Sequence, residues 1–389
     1  MKELDEITRT RIRVLAVILG VIVIIHIIVI LCIMLPHRKP AEPEGKTGPA
    51  AAENTASAPA AGEPAPAAGK TVPAAAASAK YRKPLGAAWF GKPFNYRTAV
   101  RGKLPKMPGG NVAGTGILVD LSTRNVLWCK DEKKAVPIAS MAKMMTLLVA
   151  FENLAQHPEW DLDMPVNISK ATTRAAKEGI IWLDVRETLP LRSLMQAVAI
   201  KSANDAAYQV AETTSGGNVE SFIAQMNARA AALGMAGTAF VNPHGLPNSD
   251  GRHSTSSAEG MVLLGERLLE YPDIMTWVGT QQLFIDRPLV KGGKTDLKNT
   301  NHLVVPRYPG VDGMKTGYTR AAMFCLTFTA VRDGRRLMGC VTGFPTAKER
   351  DVFARRMLDW GYLRAAEIAA GKTAPPAAAG VSVPAKKKR

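Results

Sequence analysis

Pro137-Ile-Ala-Ser-Met-Ala-Lys143 runs directly into Met144-Met-Thr-Leu-Leu-Val-Ala-Phe-Glu-Asn-Leu154, and this junction decides how the chain is read. The apolar 3–4 spacing predicts a helix from about Ala139 to Leu154. Ser140 opens that helix, and Lys143 follows one turn later on the same face, within reach of the serine hydroxyl. A free serine is a poor nucleophile and needs a base beside it. A lysine can be that base only if its pKa falls well below about 10.4. Burial and a second nearby cation both push it down. The helix N-terminus also offers backbone N–H groups to a developing oxyanion. Taken alone, the same four residues would fit a surface serine beside a snorkelling lysine.

Two more polar clusters follow in order. Ser202-Ala-Asn204 interrupts the apolar run from Ala197 to Ala207, inside a stretch predicted helical from Leu191 to Glu212. Polar groups in such a run demand partners; the hydroxyl of Ser202 can relay a proton, and Asn204 can hold a backbone amide of substrate. A buried polar kink is the plainer alternative. Asp205 is expected to stabilise the helix. Lys315-Thr-Gly317 is expected at the start of a strand, after Pro309-Gly-Val-Asp-Gly-Met314. A strand edge can align an extended peptide, Lys315 and Thr316 would fix its terminal carboxylate, and Gly317 lets the backbone come close. Lys315 could also be the second cation that Lys143 needs. An ordinary turn-to-strand junction is the alternative. His244 and His253 lie in a loop without a Gly-x-Ser-x-Gly elbow to house a triad, so His244 reads as structural.

Around these clusters, Gly116–Leu121 and Asn125–Cys129 read as a hairpin. Val219–Leu233 and Ser257–Leu269 read as helices, Met323–Val331 and Arg336–Gly343 as strands, and Ala347–Ala365 as a closing helix. Strands and helices at both ends with a helical insert predict an α/β (α+β) fold: an antiparallel sheet flanked by helices, carrying an inserted all-helical lobe.

The 389 residues carry a formal charge of +17, unevenly spread. Residues 1–107 hold 16 Lys+Arg against 7 Asp+Glu, residues 108–368 hold 29 against 26, and residues 369–389 hold 5 against none. The part expected to fold is nearly neutral, which argues against a nucleic-acid partner. The four cysteines read as small buried hydrophobes, and no Cys/His spacing resembles a metal site. Residues 14–35 are almost wholly apolar, long enough to cross a bilayer of about 30 Å. With no small-residue cleavage site, they read as an uncleaved transmembrane anchor following a cytoplasmic N-terminus, residues 1–13. Residues 36–107 read as a linker: first Ala/Pro-rich, too poor in bulky residues to fold, then a basic stretch, 80–106, interleaved with Tyr81, Trp89, Phe90, Phe94 and Tyr96. That stretch could meet an anionic surface or pack its aromatics on the domain. Residues 108–368 form the catalytic domain, and 369–389 a disordered basic tail.

The ordered trio resembles the signature of penicillin-binding proteins and serine β-lactamases, and the longer matches make the chain similar to the serine D-alanyl-D-alanine carboxypeptidases, the low-molecular-mass penicillin-binding proteins. They include Pro137–Lys143, Ser202-Ala-Asn-Asp-Ala-Ala207, Asn242-Pro-His-Gly-Leu246 and Tyr308-Pro-Gly-Val-Asp-Gly-Met-Lys-Thr-Gly-Tyr318. The resemblance runs from about Gly114 to Tyr362 and is loose over Asp161–Glu187. It implies a β-lactamase/DD-peptidase-like fold that removes the terminal D-Ala of a peptidoglycan pentapeptide through an acyl-enzyme. Ser140 would be the nucleophile, Lys143 its general base and Ser202 a proton relay. Asn204, Lys315, Thr316, Gly317 and Tyr318 would bind substrate, with the N–H groups of Ser140 and Tyr318 as oxyanion hole. It implies no metal or organic cofactor, and β-lactams as covalent inhibitors. Many members carry a cleaved signal, a further β-rich domain and a C-terminal membrane helix, whereas here the anchor is expected at the front, with the catalytic domain outside the inner membrane. Three rivals remain. A DD-endopeptidase shares all three motifs. A class A β-lactamase would need a Glu-x-x-Leu-Asn segment, and the chain has none. A non-catalytic wall-binding scaffold would have no need of an intact trio.

Overall fold

The predicted hairpin anchors the central sheet. The computed structural model describes residues 80–85, 91–104 and 113–372, all within one unit, residues 68–389. Six strands form the sheet: β1 (Val100–Arg101), β2 (Gly116–Asp120), β3 (Asn125–Lys130), β4 (Val311–Thr319), β5 (Met323–Arg332) and β6 (Arg335–Phe344), ordered β1-β3-β2-β6-β5-β4. The chain's last three strands thus join its first hairpin through the β6–β2 pairing, Gly339 opposite Leu118. Apart from the parallel β1–β3 pair, every neighbour is antiparallel.

Both faces of the sheet are covered, so β2 is buried at every residue. Ile117 and Val119 face a core shared with helices α1 (Lys143–Gln156), α2 (Leu191–Gln196), α3 (Asn204–Thr214), α4 (Val219–Ala232), α5 (Ala258–Leu268) and α6 (Pro272–Val278). Leu118 faces the opposite core, with Phe353, Met357 and Leu358 of α7 (Ala347–Ala369). Each buried Leu or Ile contributes about 2 kcal/mol relative to exposure. At Gly361 of α7 a Cβ would lie 2.5 Å from Leu118 Cδ2, so only glycine lets α7 sit this close to the sheet. Cys129, Cys325 and Cys340 are free and buried, as expected of small hydrophobes.

The structure departs from the sequence reading at two motifs. The helix expected over Leu191–Glu212 is broken: a π turn, Ala197–Lys201, ends at Ser202 with φ +65°, and α3 restarts at Asn204 after an extended Ala203. A continuous helix would have buried Ser202; the break turns it out of the core. Lys315 also stands in mid-strand rather than at a strand start, because β4 begins at Val311.

Where it is described, the basic aromatic stretch packs on this unit. Tyr81 is buried edge-on against Phe151 at 5.6 Å, and Arg82 pairs with Glu270 at 2.5 Å. Tyr96 donates to Glu259 at 2.7 Å, and β1 covers part of the outer edge of β3. Folded contacts therefore begin ahead of the boundary expected at residue 108, because buried Glu270, half-buried Glu259 and the outer edge of β3 receive this segment. The span expected at 14–35 lies outside the described residues; among those described, no helix is long and apolar enough to cross a membrane.

Candidate active site

The nucleophile candidate stands on a strained entry to α1. A 3-10 turn, Ala139–Ala142, precedes the helix, and Ala139 takes φ +48°. Two glycines let neighbouring chain close on this turn. A Cβ on Gly245 would lie 2.0 Å from Ala139 O, and one on Gly317 would lie 2.6 Å from Ile138 O. Gly245 is held by Asn242, whose Oδ1 accepts from the N–H groups of His244 (3.2 Å) and Gly245 (2.6 Å). The loop so formed presents the His244 carbonyl to the site.

Lys143 is fully buried, and its Nζ lies 2.9 Å from Ser140 Oγ, 2.5 Å from Asn204 Oδ1 and 2.6 Å from His244 O. The last two atoms can only accept, the Asn204 amide being oriented by its Nδ2 donating to Glu178 O at 2.6 Å. Burial pushes the Lys143 pKa well below its ordinary value, and the charge of Lys315 lowers it further. A neutral amine has two N–H bonds and one lone pair. With both N–H bonds committed to Asn204 and His244, the lone pair is left for the Ser140 hydroxyl proton. This arrangement can deprotonate Ser140. The side chain of His244 stays structural: burial and the nearby Lys143 push its pKa down to about 3, and its Nδ1 accepts from Leu246 N.

Ser140 opens onto a cavity of about 550 Å³ that it shares with Ser202, Asn204, Thr316, Gly317 and Tyr318. The expected site residues are thus brought together, with two differences. Asn204 lines the cavity, but both ends of its amide are engaged within the protein, by Lys143 and Glu178, a use that the motif alone did not suggest. Lys315 lies beneath the cavity wall. It is buried, its Nζ donates to Thr316 O at 3.1 Å, and burial together with Arg350 brings its pKa down to about 7. Thr316 and Thr300 share a hydroxyl hydrogen bond of 2.6 Å. Tyr318 is exposed and stacks on Phe324 at 4.2 Å. Among the described residues β4 is the last strand of the sheet, and no other strand pairs with its outer edge.

Arg350 on α7 is a site residue that motif reading missed. It lines the cavity, buried, with its guanidinium fixed by Asp351 at 2.7 Å and Cys325 O at 3.2 Å. Nothing in its local sequence marks it, since the register of α7 alone carries it there. Asp205 also does more than steady α3. Its carboxylate accepts from Ile181 N and Leu183 N and so pins the loop that supplies the Glu178 carbonyl.

A family described as D-alanyl-D-alanine carboxypeptidase matches residues 105–346. The D-alanyl-D-alanine carboxypeptidase DacF of Bacillus subtilis is 35% identical over 251 residues, covering 64% of this chain and 62% of the relative. The chain thus spans about three fifths of that relative's length. Among solved structures, a D-alanyl-D-alanine carboxypeptidase from Mycobacterium tuberculosis is 30% identical, with 67% of this chain and 94% of the other covered and a TM-score of 0.58. A penicillin-binding protein from Listeria monocytogenes, solved in a cefotaxime-bound form, is 26% identical, with 67% and 100% covered and a TM-score of 0.57.

Proposed function

Because this chain belongs to the D-alanyl-D-alanine carboxypeptidase family, we propose that it removes the terminal D-Ala from peptidoglycan stem pentapeptides by serine acyl transfer. The observation that carries the reading is the environment of Lys143, buried, with two acceptors taking its N–H bonds and Ser140 Oγ at 2.9 Å. In this reading Ser140 Oγ attacks the carbonyl of the penultimate D-Ala and its proton passes to Lys143. The N–H groups of Ser140 and Tyr318 receive the oxyanion. The peptide C–N bond breaks, and the departing amine takes a proton relayed from Lys143 by way of Ser202. Water then hydrolyses the ester and restores Ser140. The substrate lies along the free edge of β4. Its terminal carboxylate meets Thr316 and Arg350, with the Lys315 charge beneath, and a carboxylate arriving there favours the protonated form of Lys315.

The same Ser140 is the proposed site of β-lactam acylation, a reading supported by the likeness to the cefotaxime-bound protein. The apolar run 14–35 and the Ala/Pro-rich linker support a single-pass anchor in the inner membrane, with residues 108–368 outside the cytoplasm, where peptidoglycan is. At 70 residues or so, such a linker reaches roughly 45 Å as a coil.

The test is product analysis on a cross-linked muropeptide dimer carrying one D-Ala-D-Ala end, with Ser140→Ala as control. Free D-Ala released from an intact dimer by the wild type alone supports the carboxypeptidase reading. Splitting of the dimer replaces it with an endopeptidase. No product from either protein refutes both.

A further inference from the structure

Loop 178–187 beside the cavity is pinned from beneath at several backbone groups. Asp205 takes the N–H groups of Ile181 and Leu183, and Arg287 donates to the carbonyls of Ile181 (2.5 Å) and Trp182 (2.9 Å). Arg287 is itself buried in a two-point pair with Glu187, Nε to Oε1 at 2.9 Å. This framework holds Trp182 at φ +60° with the residue 75% exposed. Left-handed backbone costs a tryptophan energy, and an exposed indole gains nothing from burial. A buried ion pair used to hold an aromatic ring in solvent is a construction for contact with something outside the chain.

The neighbouring hairpin, Gln282–Asp286 with Lys294–Lys298, presents a second ring. Phe284 is 56% exposed and lies directly opposite Asp296, whose carboxylate accepts from Gln282 Nε2 at 2.7 Å. Lys298, two residues on and on the same face, lines the cavity. Both rings are therefore close to the cavity wall: Phe284 about 7 Å beyond Lys298 along the sheet face, and Trp182 at most about 10 Å beyond Gly179, which also lines it.

We propose that Trp182 and Phe284, with the Gln282–Asp296 pair, form a subsite for a pyranose ring of the glycan that carries the stem peptide. This rests on the carboxypeptidase reading of the site. Four extended residues separate the attacked carbonyl from the sugar, a reach of roughly 14 Å, comparable with the distance of these rings from the cavity wall. The chemistry fits a sugar better than more peptide. Flat aromatic faces stack on the C–H face of a pyranose, and a planar amide–carboxylate pair matches its hydroxyl and acetamido groups. The rim would make the enzyme prefer stem peptides still attached to glycan.

The test measures two quantities for wild type, Trp182→Ala and Phe284→Ala, on free pentapeptide and on the same peptide attached to its disaccharide. The first is KM and kcat for D-Ala release. The second is affinity in a Ser140→Ala background, which reads the subsite without turnover. An aromatic contact of this kind supports a preference of roughly three- to tenfold for the disaccharide form. That preference should appear in KM and in affinity and be lost in the Trp182 variant, with free-peptide values and β-lactam acylation unchanged. Equal affinity of the wild-type rim for the two ligands would overturn the proposal, as would an equal fall on both ligands in the variants. Failure to release D-Ala from either substrate would count against the carboxypeptidase reading alone, since the binding arm stands apart from it.

Discussion

Gly317→Ala is the substitution for which the structure makes the sharpest claim. The added methyl would lie 2.6 Å from Ile138 O and 3.3 Å from both Ala139 Cβ and Met141 Cγ. Ordinary contact begins near 3.4 Å, so β4 and the Ser140 turn must part by roughly 0.8 Å, and the closest atom is backbone that cannot swing aside. Gly317 is buried and does not lie in the left-handed region, so the effect is steric and not a matter of glycine's conformational freedom. Overpacking of this kind costs about 1–3 kcal/mol of stability. Catalysis should suffer more, because the displaced elements carry the nucleophile on one side and the substrate strand on the other. A misplacement near 1 Å costs about 100-fold in rate. The assay is the second-order rate of acylation by a fluorescent penicillin, read beside thermal unfolding. A folded variant that acylates within twofold of wild type would refute the account of how β4 and the Ser140 turn are set against each other.

Asn204→Ala removes one acceptor from a buried amine and the donor to Glu178 O; we expect a stability loss of about 1–3 kcal/mol and a fall in acylation, both read by the same assay. Lys315 titrates at about 7 in the fold against 10.5 when unfolded. The unfolded chain therefore binds more protons between those values, and wild-type stability should rise with pH across that window relative to Lys315→Met, with the full penalty present below pH 7; urea unfolding at pH 6, 8 and 10 checks the sign. Arg287→Ala strands the buried Glu187 carboxylate and should cost about 3–5 kcal/mol, seen as a lowered denaturation midpoint, whereas the double change Arg287→Met, Glu187→Leu should recover much of it.

The sequence carried the chemistry better than the shape around it. Ser140, Lys143 and Lys315 are legible because a serine nucleophile needs a base at helical spacing and a cation to lower it. The hairpin and the closing helix are legible from period alone. The break at Ser202 is less so: an apolar run with two polar residues looks the same whether the helix kinks or stops, and the left-handed turn depends on Lys143 and Glu178 receiving Asn204. Arg350 and the pinned loop of Trp182 were invisible because each is placed by a partner far away in the chain, Cys325 and Arg287 respectively, and the Asn242–Gly245 loop was legible as a loop but not in its closure on Ala139. Local pattern records propensity, and these positions are settled by tertiary contact.

The central claim is that Ser140, activated by neutral Lys143, carries the acyl group. Its most direct test is to react the protein with a β-lactam, digest it, and locate the adduct by mass spectrometry in wild type and Lys143→Met. We predict one adduct, on the peptide containing Ser140, formed at least 100-fold more slowly in the variant. An adduct on any other residue, or undiminished acylation of Ser140 without Lys143, would contradict it.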